Sequence, residues 1–385
     1  MRGMLASIPF ALFTVFCWGS YGPVLHHGKA GMSNNSWAQL LCVGISYFVI
    51  AVIVPIIVLK KSGEQGNWTI GGIRWGLSAG AAGALGALGI ITALTNGGSP
   101  VYVMPIVFGC APVVNTLVSM YMGKLFGQTS PGFLLGIILV AVGAAGVFYY
   151  KPKPAEPHSS VNVLKITPVV FNADETGSDD DVVAENTNAD DNHAPGDSHS
   201  DAVKKKEVNV MLISGGILLT VICWGAYGSI LHKSQALMAG SRWRPLLCVG
   251  LAYFVIAVIV PVGIMSQQGF PEVTTFGGWS FSLMAGVCGA IGALGIIWSF
   301  TFGGKPVFVM PLVFGGAPVV NTAISLFEMG EVGEVSPIFY GSLATVIIGA
   351  IVTLVTAPKP QKKAPAKDEV AEKSDDKTNP KDKKK

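Results

Sequence analysis

Residues 103–116 read VMPIVFGCAPVVNT, and residues 309–322 read VMPLVFGGAPVVNT. Both runs are apolar enough to lie in lipid. Yet each carries two prolines and an asparagine at matching places: Pro105, Pro112 and Asn115 in the first, Pro311, Pro318 and Asn321 in the second. The match extends well beyond these stretches. Trp18 pairs with Trp224, Tyr47 with Tyr253, Pro55 with Pro261 and Gly83 with Gly289, all at one offset. The chain is an ungapped duplication, 7–150 against 213–356, joined by a linker.

Hydrophobic residues make up 50% of the chain and charged residues only 13%, with much of the charge in 151–208 and after 357. The remainder is more apolar than a water-soluble domain needs, so an integral membrane protein is expected. A bilayer core of roughly 30 Å takes about 20 apolar residues per helix. That rule places spans near 7–27, 37–59, 72–95, 100–122, 132–150, 209–231, 243–265, 277–301, 306–328 and 337–357. Arg2 ahead of the first span resembles a secretory signal, but its near copy at 213–231 is internal, so both read as permanent spans. Cys17, Cys42, Cys110, Cys223, Cys248 and Cys288 all fall inside spans and form no CxxC pair. They read as small packing residues, and neither a disulfide framework nor a metal site is indicated.

Each copy holds an odd number of spans, so the second must enter the membrane upside down relative to the first. Basic loops stay on the cytoplasmic side, and inverted copies should therefore carry their Lys and Arg in different loops. Lys60, Lys61, Arg74 and Lys124 correspond to Ser266, Gln267, Ser280 and Gly330, whereas Ser36, Ala38 and Ser99 correspond to Arg242, Arg244 and Lys305. Glu272, Glu328, Glu331 and Glu334 occupy second-half loops that lost base. The expected fold class is an all-α integral membrane protein, ten transmembrane helices as two inverted-topology five-helix repeats. Both termini are then cytoplasmic, in the plasma (inner) membrane. Inverted repeats of this kind recur in secondary transporters, where they let one central site open alternately to either side.

The Trp-Gly pair in the first span of each half (FCWGSYG at 16–22, ICWGAYG at 222–228), the five-plus-five duplication and the Pro- and Gly-rich fourth spans resemble the drug/metabolite transporter superfamily. Among its branches the chain looks most like the glucose/ribose and rhamnose uptake transporters. The resemblance covers both membrane halves, not the linker or tail. It implies that the first four helices of each half line a central cavity, with the fifth of each peripheral.

Four segments follow: a first membrane repeat at 1–150, an acidic linker at 151–208, a second repeat at 209–357 and a lysine-rich tail at 358–385. The linker, with DETGSDDD and ADDNHAPGDSHSD, holds too little apolar surface to fold alone and reads as disordered. The tail is similar charged sequence. His193 and His199 among the aspartates show no ligand spacing of a rigid metal site.

Polar groups inside lipid must be satisfied or functional. No Asp or Glu lies well inside a span, and no Lys or Arg lies near a span centre. A buried acidic relay, cationic drugs and anionic substrates are all disfavoured. The neutral groups left suit a polyhydroxylated solute: an amide matches hydroxyls as both donor and acceptor, and an indole covers the apolar face of a sugar ring. The substrate-binding candidates are Asn115, Asn321, Trp18, Trp224, Tyr21, Tyr227, Phe108, Phe314, Pro112 and Pro318. Each of these also has a packing reading. Prolines in a helix cannot donate and clash with the carbonyl four residues back, so Pro105 and Pro112 are expected to loosen the carbonyls of Val101 and Phe108, with Pro112 and Asn115 near the midplane, unless they only shape a kink. Tyr47 and Tyr253 read as packing residues. The glycine tracks Gly80, Gly83, Gly86, Gly89 and Gly286, Gly289, Gly292, Gly295 read as close helix contacts. His26 and His232, aligned at span ends, are candidates for proton coupling, against the plainer reading of interfacial histidines.

The expected function is a secondary transporter moving a small neutral polar solute, a sugar, by alternating access. The alternatives are a metabolite or amino-acid exporter of the same superfamily, or a channel. No reacting constellation points to an enzyme, and no cofactor is expected. The expected partners are a small-molecule substrate and the lipid bilayer, with a homodimer left open and no nucleic acid. In the inverted topology the linker lies outside: protease added to intact cells should cut between 151 and 208, and full protection rejects that topology.

Overall fold

The computed structural model describes residues 2–124, 126–152, 209–271, 274–302, 306–329 and 335–357. Most of the linker, the tail, Glu272, Lys305, Glu331 and Glu334 lie outside the described residues. Among the described residues there is no strand, and nine helices are long and apolar enough to cross a membrane; in a tenth, the apolar stretch Leu312–Glu328 falls just short of that length.

In chain order the helices are α1 Arg2–Ala30, α2 from Ser36–Phe48 continuing in Val54–Ser62, α3 Ile70–Thr95, α4 Pro100–Gly123, α5 Pro131–Tyr149, α6 Val210–Leu237, α7 from Trp243–Phe254 continuing in Val260–Gln268, α8 Phe276–Thr301, α9 Pro306–Met329 and α10 Pro337–Thr356. Caps start several of them. Asn35 accepts from the amides of Trp37 and Ala38 at 2.9 and 3.1 Å, and Thr69 accepts from Gly72 at 3.0 Å, satisfying donors that a helix start otherwise leaves open.

Loop contacts sort the helix termini into two ends of the bundle. At the Asn96 end, the Asn209 amide donates to the Asn96 carbonyl and that of Thr275 to Gly31. At the Lys61 end, Thr69 Oγ1 donates to the Leu237 carbonyl, Ser130 Oγ to that of Thr356, and Ser299 Oγ to that of Ser7. The start of α1 and the end of α10 therefore share the Lys61 end.

The helices pack across the duplication. α1 lies along α8 and α6 along α3; α2 lies against α8 and α7 against α3; α5 and α10 pair with each other at the side. The glycine tracks make the first four of these contacts close. Along α3, Gly80 faces the backbone of Val249 in α7, Gly83 the Tyr253 ring, Gly86 the Trp224 ring and Gly89 the Thr220 hydroxyl; along α8, Gly286, Gly289, Gly292 and Gly295 meet Val43, Tyr47, Trp18 and Thr14 in the same order. A Cβ on Gly80 would sit 2.6 Å from the Val249 carbonyl oxygen, and one on Gly286 2.8 Å from Val43 Cα. Small residues give such contacts in lipid, where burial from water no longer drives helices together.

The helix irregularities fall elsewhere than the prolines of VMPIVFGCAPVVNT suggest. α4 runs unbroken through Pro105 and Pro112, both buried, so no interruption of the helix accompanies them. Departures from α geometry occur instead at the identical VIAVI segments, Val49–Ile53 and Val255–Ile259, each a π turn just ahead of Pro55 or Pro261. The wider turn carries the carbonyls past a proline ring that cannot donate. Val54 closes it by donating to Val49, and Val260 to Val255. These turns lie where α2 crosses α7. A Cβ on Gly250 would be 2.6 Å from the Ala51 carbonyl oxygen. Gly250→Val is accordingly expected to destabilise the fold by about 1–3 kcal/mol through overpacking, measured as a lower melting temperature in detergent; an unchanged value rejects the close crossing.

Candidate functional site

A cavity of about 680 Å³ occupies the middle of the bundle and extends to the Lys61 end. Its walls come from α1–α4 and α6–α9 and from the turn before α7, with nothing from α5 or α10. At its inner part stand the rings of Trp18, Tyr21, Tyr47, Phe108, Trp224, Tyr227, Tyr253 and Phe314. Toward the mouth lie Asn115, Ser119, Ser229, His232, Lys233, Gln235 and Arg242. No Asp or Glu is among the described lining residues.

The tryptophans are placed by the glycine tracks. Trp18 Nε1 donates to the Gly289 carbonyl at 3.2 Å, and Trp224 Nε1 to that of Gly83 at 3.1 Å. One turn back, Thr14 Oγ1 donates to Gly292 and Thr220 Oγ1 to Gly86, at 3.1 and 2.9 Å. With each indole N–H given to a backbone carbonyl, the tryptophans contribute apolar ring surface to the cavity. The rings of Tyr47 and Tyr253 stack at 3.9 Å between centroids, 1° from parallel, where the two halves meet. Tyr21 packs edge-on to Trp224 at 6.0 Å, and Phe108 lies 6.4 Å from the same indole.

Polar groups follow two patterns. Tyr21 is 4% exposed, and its hydroxyl is buried and finds no protein partner. Asn115 Oδ1 accepts from Ser229 at 2.9 Å, and Ser229 and Ser119 hydroxyls are 2.7 Å apart. A buried donor without a partner costs stability, and the Tyr21 hydroxyl carries that cost in this state.

Of the residues that the sequence singles out, Trp18, Tyr21, Phe108, Asn115, Trp224, Tyr227 and Phe314 come together on this cavity. Asn321, Pro112 and Pro318 do not line it. Asn321 is fully buried at the closed end, where its Nδ2 donates to the Pro100 carbonyl at 2.7 Å. Pro112 and Pro318 are buried within α4 and α9. His232 stands at the cavity mouth, whereas His26 lies on α1 outside it with Nδ1 buried and without a protein partner; the two imidazoles do not share a site. Tyr47 and Tyr253, which read as packing from sequence, form part of the wall. Their signal was the alignment itself, since Tyr47 and Tyr253 match at the same offset as Trp18 and Trp224. Lys233, Gln235 and Arg242 at the mouth are signalled by nothing local.

No protein-family model matches the chain, and a search of curated proteins finds none similar to it.

The seating of the indoles is testable. A methyl group at Gly86 or Gly292 would occupy the place of the Trp224 or Trp18 ring, while one at Gly215 meets nothing within 4 Å. Gly86→Ala and Gly292→Ala are expected to shift tryptophan emission, with Gly215→Ala unchanged. Emission that is the same in all three variants rejects the seating.

Proposed function

We propose that the protein is a secondary transporter of a small neutral polar solute, a sugar, built as ten membrane helices in two inverted repeats and working by alternating access. The observation that carries this reading is the cavity: central, walled by both halves, open toward one end and closed at the other. Its chemistry fits the solute class. Aromatic side chains of both halves supply apolar wall for the non-polar side of a sugar ring, and Asn115, Ser119 and Ser229 offer bonds to its oxygens. The lining by four helices of each half accords with the resemblance to the drug/metabolite transporter superfamily, which we carry as part of the proposal.

Orientation follows from charge. Lys60, Lys61, Arg74, Lys124, Lys233, Arg242 and Arg244 lie toward the Lys61 end, with Glu64 paired to Arg244 at 3.4 Å. The Asn96 end carries Lys29, Lys151 and Glu328, the last paired with His27 at 3.1 Å. The positive-inside rule then puts the Lys61 end, with both termini, in the cytoplasm of a cell whose plasma membrane holds the protein, and the cavity faces inward.

One observation favours a second reading. Lys233 stands at the mouth with no described carboxylate on the cavity wall, as suits a solute bearing an anionic group, such as a metabolite or amino acid to be exported.

Protein in proteoliposomes, tested with sugars and with amino acids, is expected to give saturable uptake that accelerates when solute is preloaded inside. Asn115→Ala should raise the half-saturating concentration by roughly two- to tenfold, the range for one lost hydrogen bond. Flux that stays linear in concentration and shows no counterflow rejects transport in favour of a channel. Acceleration by amino acids alone selects the second reading.

A further inference from the structure

At the Asn96 end three side-chain hydrogen bonds hold the bundle shut. Asn321 of α9 donates to the Pro100 carbonyl at the head of α4, at 2.7 Å. The hydroxyls of Ser36 at the head of α2 and Thr95 at the foot of α3 are 2.7 Å apart. Lys29 of α1 reaches the Leu94 carbonyl of α3 at 3.5 Å. Every one of these bonds joins the group α1, α2, α9 to the group α3, α4. None of the six residues lines the cavity.

The duplication gives each of the six a counterpart at the other end. Asn321 corresponds to Asn115, Lys29 to Gln235 and Ser36 to Arg242, while Pro100, Leu94 and Thr95 correspond to Pro306, Phe300 and Thr301. Asn115, Gln235 and Arg242 all line the open part of the cavity. All three keep a side-chain N–H donor long enough to cross a helix interface. The same three positions thus bridge helices at the closed end and stand on the wall at the open one.

We infer that Asn115, Gln235 and Arg242 are the gate of the Lys61 end. In a second state Asn115 closes onto the Pro306 carbonyl, Gln235 onto that of Phe300, and Arg242 onto position 301, as the bonds of Asn321, Lys29 and Ser36 part. Asn115 then serves twice, as cavity wall in one state and as gate in the other, which ties closure to what occupies the cavity. The closed end also has a reason to open. Asn321 Oδ1, Thr322 Oγ1 and Ser325 Oγ are buried there without protein partners, whereas Asn115 Oδ1 and Ser119, at the open end, are bonded to Ser229. The inference rests on the transporter reading but requires no knowledge of the solute.

Its test uses cysteine pairs in the full-length protein in membranes, with disulfides identified by mass spectrometry of the joined peptides. Ser36→Cys/Thr95→Cys reports closure of the Asn96 end. Arg242→Cys/Thr301→Cys reports closure of the Lys61 end, and Gln235→Cys/Phe300→Cys gives an independent reading there. All three pairs should oxidise. Adding Asn321→Ala should speed oxidation of both Lys61-end pairs by on the order of fivefold, the population shift for one lost hydrogen bond, and Asn115→Ala should slow the Gln235→Cys/Phe300→Cys pair. Oxidation of the first pair, with neither of the others joining in properly folded protein, overturns the gate. Joining of the Lys61-end pairs at a rate indifferent to Asn321→Ala overturns the latch role of Asn321. A sugar that fails to bind leaves all of these outcomes standing, so the two readings fail separately.

Discussion

The contact on which the rest depends is a tryptophan indole laid across a glycine, with its N–H given to a backbone carbonyl one turn away. It occurs twice, Trp224 on Gly86 and Gly83, and Trp18 on Gly292 and Gly289. In a bilayer, apolar burial does not favour one helix contact over another, because lipid is as apolar as leucine. Close approach and hydrogen bonds must choose the partners. The glycine tracks do both: they remove the side chain that would hold α6 off α3 and α1 off α8, and they bare carbonyls for Trp and Thr donors. The same contact fixes the cavity wall, since it holds each indole in place at the cavity.

A second constraint is the accounting of buried polar groups. An unpaired one costs about 1–3 kcal/mol. At the open end Asn115, Ser119 and Ser229 satisfy one another, but Ser229 is matched by Pro23 in the first half, so Asn321 and Ser325 have no such hydroxyl to meet. Near-identical segments therefore differ in what it costs to bury them. That inequality lets a single duplicated sequence hold an asymmetric shape.

The π turns belong to the same economy of backbone. Pro55 and Pro261 remove a donor in the middle of a membrane helix, and the widened turns absorb the change where Gly44 and Gly250 bring α2 and α7 together. Pro105 and Pro112 sit in a helix that stays regular, with Thr116 Oγ1 donating to the Pro112 carbonyl at 2.9 Å. Proline in a sequence marks a lost donor; whether the helix widens, kinks or stays regular depends on the neighbours that can close the gap.

Residue by residue, the division between sequence and tertiary structure is plain. The apolar runs, the duplication and the scarcity of buried charge are properties of composition and period, which local physics reads directly; each expected span falls on a helix. Trp18, Tyr21, Phe108 and their copies were legible as cavity residues because large aromatic and polar groups deep in lipid need a reason. Asn115 and Asn321 were not separable, since VMPIVFGCAPVVNT and VMPLVFGGAPVVNT carry nearly the same local information. Only packing sends one amide to the cavity wall and the other to the Pro100 carbonyl. The mouth residues Lys233, Gln235 and Arg242 likewise look like ordinary loop polarity in one dimension. Hydrophobic period determines that a helix forms and which face is apolar; which helices part to open a cavity, and at which end, is decided by long-range contacts between groups that the chain holds hundreds of residues apart.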